Sequence, residues 1–162
     1  MADPFYLSLE IHPNDWEVAR DYLPKHGFGE EVEWPLLVAH MGDDEIDAGV
    51  YSDGGVPRIV VYEAYYEWVE ALEKLTDAGV CFLAFEGDVY EGDCYRVNCA
   101  DGDFIIPTLR NEGPAYPVNA RGLLQKDVRE QARRAMRAMT KVEQLLNKVR
   151  KDETARISRT VS

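Results

Sequence analysis

Between Ala64 and Gly79 the apolar residues Tyr65, Trp68, Val69, Leu72 and Leu75 recur at intervals of three and four. That period predicts an amphipathic helix, which Gly79 closes by supplying a positive φ at the C-cap. Upstream the pattern differs. Phe5 to Ile11 reads as a strand stopped by His12-Pro13, and a short helix is expected next. Asn14 or Asp15 would cap it, Trp16, Ala19, Tyr22 and Leu23 would share its apolar face, and Pro24 with Gly27 and Gly29 would end it. Glu33 to His40 is a strand candidate with Trp34, Leu36 and Val38 on one side and Leu37 and Ala39 on the other. Pro35 assigns it to an edge, or marks its first residue.

Ile46 to Tyr51 and Arg58 to Tyr62 flank Ser52-Asp53-Gly54-Gly55, a hairpin signature. Val80 to Phe85, Cys94 to Cys99 and Phe104 to Pro107 read as three further strands. The turn-forming stretches Glu86 to Asp93 and Ala100 to Asp103 would join them into an antiparallel meander. The order of elements implies an α+β fold: an antiparallel or mixed sheet with two helices packed on one face, plus a long C-terminal helix. It hints at a ferredoxin-like core with additions.

Asn111 to Asn119 contains Gly113, Pro114 and Pro117, which interrupt helix and strand alike. Leu123 to Lys151 then holds no Gly or Pro and is expected to be one helix. The chain therefore divides into an acidic α+β domain over 1–113, a linker and long basic amphipathic helix over 114–151, and a flexible polar tail over 152–162.

Along the long helix, Val128, Ala132, Ala135, Met139, Val142, Leu146 and Val149 alternate spacings of four and three. A 3.5-residue repeat keeps a stripe turned toward a partner, as in coiled coils. The same stripe, broadened by Met136 and Leu145, also suits packing onto the protein's own sheet. Both remain open here, oligomerisation seam or core seam. Opposite the stripe stand Arg133, Arg134, Arg137, Lys141, Lys148 and Lys151.

Charge is divided unevenly along the chain. Residues 1–113 carry 25 Asp and Glu against 6 Lys and Arg, whereas residues 114–162 carry 5 against 12. The whole chain, at −12 over 162 residues, is acidic, so direct nucleic-acid binding is not expected despite the basic helix face. The carboxylates gather in two loops, Asp43, Asp44, Glu45 and Asp47, then Glu86, Asp88, Glu91 and Asp93. Glu63, Glu67, Glu70 and Glu73, with Asp77, add a row on the central helix. Clustered carboxylates on a rigid scaffold resemble a run of phosphates and attract basic proteins.

Catalytic chemistry finds little purchase. The body's serines, Ser8 and Ser52, sit in no nucleophile elbow, and no phosphate-binding loop is present. His12, His26 and His40 form no metal-ligand pair, and Cys81, Cys94 and Cys99 have no Cys-x-x-Cys spacing. Free thiols are expected, with Cys81 as a small buried hydrophobe. Neither acidic loop has the alternating spacing of a calcium-binding loop, so no cofactor and no metal is expected. His40 with Asp43, Asp44 and Glu86 is the constellation a metal-dependent hydrolase would use.

The longest apolar runs are too short to cross a bilayer, and no secretory leader pattern opens the sequence. A cytoplasmic protein without membrane contact is therefore expected. The pattern favours a non-catalytic module whose acidic surface binds a basic, nucleic-acid-handling protein as an inhibitor or regulator. Small acidic nucleic-acid mimics of phages and plasmids act this way, a likeness in charge alone. The alternatives are an assembly protein that homo-oligomerises through the heptad helix and a metal-dependent hydrolase.

Overall fold

The computed structural model describes residues 4–23, 48–87, 93–99, 102–108 and 126–161. Their elements run β1 (Phe5–Ile11), α1 (Trp16–Tyr22), β2 (Ala48–Asp53), β3 (Val56–Ala64) and α2 (Tyr66–Asp77). The chain continues through β4 (Phe82–Gly87), β5 (Asp93–Cys99) and β6 (Gly102–Thr108) to α3 (Lys126–Val161). The described strands form one sheet in the order β2-β3-β1-β4-β5-β6, and every neighbouring pair is antiparallel. Strands β2-β3-β1-β4, with α1 and α2 as the two crossovers, make the ferredoxin-like split βαβ arrangement. The hairpin β5-β6 extends it at the β4 edge. The Glu33 to His40 strand and the Asn111 to Asn119 linker lie outside the described residues.

Alternation along the strands sorts side chains onto two faces, and each face has its own core. Leu7, Leu9 and Ile11 of β1, Ile59 and Val61 of β3, and Phe82 and Ala84 of β4 pack against Trp16 and Ala19 of α1 and Trp68, Leu72 and Leu75 of α2. On the reverse face Val56, Leu83 and Val97 meet Ala135, Ala138, Met139, Val142 and Leu146 of α3. The described elements thus form three layers, with the acidic helices α1 and α2 on one side of the sheet and the basic helix α3 on the other.

Local chemistry sets the element ends, with some departures from the sequence reading. Asp15 occupies the N-cap position of α1 but makes no side-chain cap bond. Its Oδ2 instead accepts from the Cys81 backbone N–H at 2.9 Å, tying the start of α1 to the entry of β4. The turn before α1 is capped by His12, whose Nδ1 accepts from Asn14 N–H at 3.2 Å. Tyr65 serves as the N-cap of α2 and is exposed rather than buried in that helix's stripe. Gly79, at φ +73°, closes α2 as its sequence predicts.

The hairpin turn is tighter than its flanks suggest. Gly54 and Gly55, at φ +59° and +88°, are its two central residues. Positive φ at both positions matches a type I′ turn, and Ser52 Oγ accepts from Gly55 N–H at 3.1 Å. A second constraint acts from outside. A Cβ at Gly54 would stand 3.0 Å from Arg150 Cγ, and one at Gly55 3.2 Å from Glu153 Cβ, because α3 runs across this turn.

The residues assigned to a polar tail after Lys151 continue α3 to Val161. No apolar stripe is needed there, because a helix already nucleated by a packed segment propagates through good helix formers such as Glu153, Ala155 and Arg156. Glu153 and Arg156 add an i,i+3 pair at 2.6 Å, and their charged forms are mutually favoured: the carboxyl is shifted down and the guanidinium up.

Candidate interaction surfaces

The outward side of the α1–α2 layer is the principal acidic surface. Burying Trp68, Ala71, Leu72 and Leu75 turns Glu70, Glu73 and Asp77 outward, and all three are exposed. Glu17 and Asp21 of α1 are exposed on the same layer. The only cations these two helices contain are Arg20 and Lys74. Glu63 is also exposed, near the end of β3, where the register with β1 shifts between Phe5 and Leu7. The exposed rings Tyr65 and Tyr66 stand at the start of α2, whereas exposed Tyr62 packs beside Tyr6 on the other face of the sheet. Tyrosines beside a charged patch supply the amphipathic contact area typical of protein interfaces.

Glu67 lies on α2 and Asp93 at the start of β5. Asp43, Asp44, Glu45, Asp47, Asp88 and Glu91 lie outside the described residues. Glu86 is not a free surface charge: its side chain is only 15% accessible, and Oε1 stands 3.4 Å from Arg96 Nε. Its Oε2 accepts from Cys94 Sγ at 3.1 Å. The register places Glu86 opposite Cys94, with Arg96 two residues further on, so the pair forms across the β4–β5 ladder.

On the opposite layer the heptad seam is spent inside the chain. Ala132, Ala135, Met139, Val142 and Leu146 are buried, Val128 and Val149 are half-buried, and the stripe packs on the protein's own sheet. The small residues Ala132, Ala135 and Ala138 allow the helix to lie close to β5 and β6. Arg133, Arg134, Arg137, Lys141 and Lys148 are exposed, and Arg134 stands over the Phe104 ring at 5.8 Å.

Arg150, four residues after Leu146, lies on the seam side and reaches the sheet. It pairs with Glu10 of β1 and, at 3.2 Å, with Asp53 of the hairpin. Asp53 also stands 3.9 Å from Arg58, whose Nε donates to Ser8 Oγ at 3.1 Å. The sequence carried a signal for this anchor: a guanidinium in register with an apolar stripe needs a carboxylate opposite.

The candidate hydrolase constellation is not assembled in what is described. Among the described residues no three His, Cys, Asp or Glu side chains converge as a cation site, and His26, His40, Asp43 and Asp44 lie outside them. All three cysteines are free thiols. Burial, reinforced by the Asp15 carboxylate, pushes the Cys81 thiol up to about 11, so it stays protonated and unreactive. No described helix is long and apolar enough to cross a membrane. Comparison with known proteins finds no matching family, no matching characterised protein and no matching solved structure.

Proposed function

We propose that this chain is a non-catalytic binding module whose α1–α2 layer docks a basic protein of the kind that handles nucleic acid. One observation carries the reading: Glu17, Asp21, Glu63, Glu70, Glu73 and Asp77 are exposed on or beside two helices that contain two cations. A helix seated on a sheet holds its carboxylates in a fixed array, which steers a cationic surface and presents it with a phosphate-like pattern. Docked there, the module covers the partner's nucleic-acid site and acts as a competitive inhibitor or regulator. Exposed Tyr65 and Tyr66 at the start of α2 supply apolar contact beside the charges.

The test is displacement of labelled duplex DNA from a linker histone, a basic probe protein. The reading expects displacement at low salt that fades as salt is raised, and its loss in the triple variant Glu70→Lys, Glu73→Lys, Asp77→Lys. A control variant, Asp103→Lys, Glu130→Lys, Asp152→Lys, makes the same change in net charge at exposed sites away from that layer. Equal loss in both variants would reduce the effect to bulk charge and remove the docking surface.

The competing assembly reading draws on the heptad stripe, which here is buried against the chain's own sheet. The exposed side of α3 carries Arg133, Arg134, Arg137, Lys141 and Lys148.

A further inference from the structure

α3 covers its face of the sheet obliquely, from Phe104 in β6 to the Gly54-Gly55 turn. Beyond its cover, toward the opposite end of the strands, four rings from four adjacent strands form a row. Tyr62 of β3 lies 5.9 Å from Tyr6 of β1, Tyr6 lies 6.3 Å from Phe85 of β4, and Phe85 lies 5.2 Å from Tyr95 of β5. Strand pairing makes this row: Ser8 is opposite Phe85 and Phe85 is opposite Tyr95, so rings on one face meet across the ladder. Tyr62 is 55% exposed, and the other three rings are half-buried. Between the row and α3 lies a concavity of about 360 Å³, lined by Tyr6, Phe85, Tyr95, Glu10, Arg58 and Glu143 among others.

The charges around this groove do not cancel. Arg58 and Arg150 are matched by Asp53 and Glu10 in the network that anchors α3. Glu143, exposed on the flank of α3, has no ion-pair partner among the described residues. An uncompensated carboxylate beside several π faces is the chemistry that holds an organic cation. The ring geometry points the same way. Neighbouring planes are inclined by 53°, 59° and 54°, which forms angled walls and not the flat platform on which successive bases stack. Glu10, Asp53 and Glu143 would also repel a phosphate backbone.

The geometry points to a groove that takes an arginine or lysine side chain of a polypeptide partner, clasped by the ring row and neutralised by Glu143. The inference rests on the reading that the partner is basic, and it adds a second contact on the opposite face of the sheet from α2. The two can fail separately.

Ring-proton NMR of the full chain, titrated with a capped Gly-Arg-Gly peptide, tests it. The expected result is saturable shifts of the Tyr6, Tyr62, Phe85 and Tyr95 rings, reproduced by Gly-Lys-Gly and absent with Gly-citrulline-Gly, which keeps the shape without the charge. Glu143→Gln and Tyr62→Leu, both at exposed positions, should each weaken binding by about two- to fivefold. The Glu70→Lys, Glu73→Lys, Asp77→Lys variant should bind the peptide as the parent does, even where it no longer displaces DNA from the histone. Equal shifts from the citrulline peptide, or ring shifts from a thymidine oligonucleotide with none from the arginine peptide, would overturn the inference.

Discussion

Gly79 and Gly55, both in positive φ, separate two costs that are usually confounded. A Cβ at Gly79 would meet nothing within 4 Å, whereas one at Gly55 would press on Glu153. Gly79→Ala should therefore cost about 1 kcal/mol, the backbone term alone. Gly55→Ala should cost at least about 2 kcal/mol, because strain and crowding add. Urea unfolding of the two variants measures this, and equal costs would mean that α3 does not bear on the turn. Cys81 offers a titration at the same scale. Its folded thiol is raised to about 11, so the native state holds the proton more tightly than the unfolded chain does. The resulting stability is complete below the unfolded thiol range near 9 and is lost as pH rises from there toward 11. Cys81→Ala should flatten that part of the stability–pH curve, and an unchanged slope would place the titration elsewhere.

For the elements, the seam of α3 is the decisive case. Leu146 is fully buried against the sheet, so Leu146→Ala should destabilise the protein by about 2–5 kcal/mol. Sedimentation at matched concentrations should show no change in mass. A loss of mass without a loss of stability would instead assign the stripe to a second chain. The helices and strands were legible because burial imposes its period on sequence: 3.6 along α2, alternation along the strands. What stayed hidden depends on which strand lies beside which. Tyr6, Tyr62, Phe85 and Tyr95 come from four strands, and nothing local in the sequence announces that register puts them in one row. The same holds for Glu86, which reads as one of a loop's carboxylates until the β4–β5 ladder sets Arg96 near it. The last turns of α3 were missed for the opposite reason. They bury little, so no stripe marks them, and they are helical by continuation. Arg150 was legible in principle, since its place on the stripe asks for an acid on the facing sheet.

Across the whole molecule, the charge division along the chain becomes a division between faces: carboxylates over α1 and α2, guanidiniums and amines along α3, and the sheet between. Strand β1 lies inside that sheet, hydrogen-bonded to β3 and β4, with Leu7, Leu9 and Ile11 fully buried in the α1–α2 core. Amide exchange should be slowest at Leu7, Leu9, Val61 and Ala84 and fastest along β2 and β6, the outer strands of the described sheet. Uniform protection across all six would contradict this order. The Glu10–Arg150 pair spans 140 positions of sequence. Because that contact joins two segments made far apart in time, the face lined by Val56, Leu83 and Val97 stays open during synthesis until α3 emerges. The nascent chain should therefore be a client of holding chaperones, and the finished protein a slow folder whose late step closes α3 over strands paired long before.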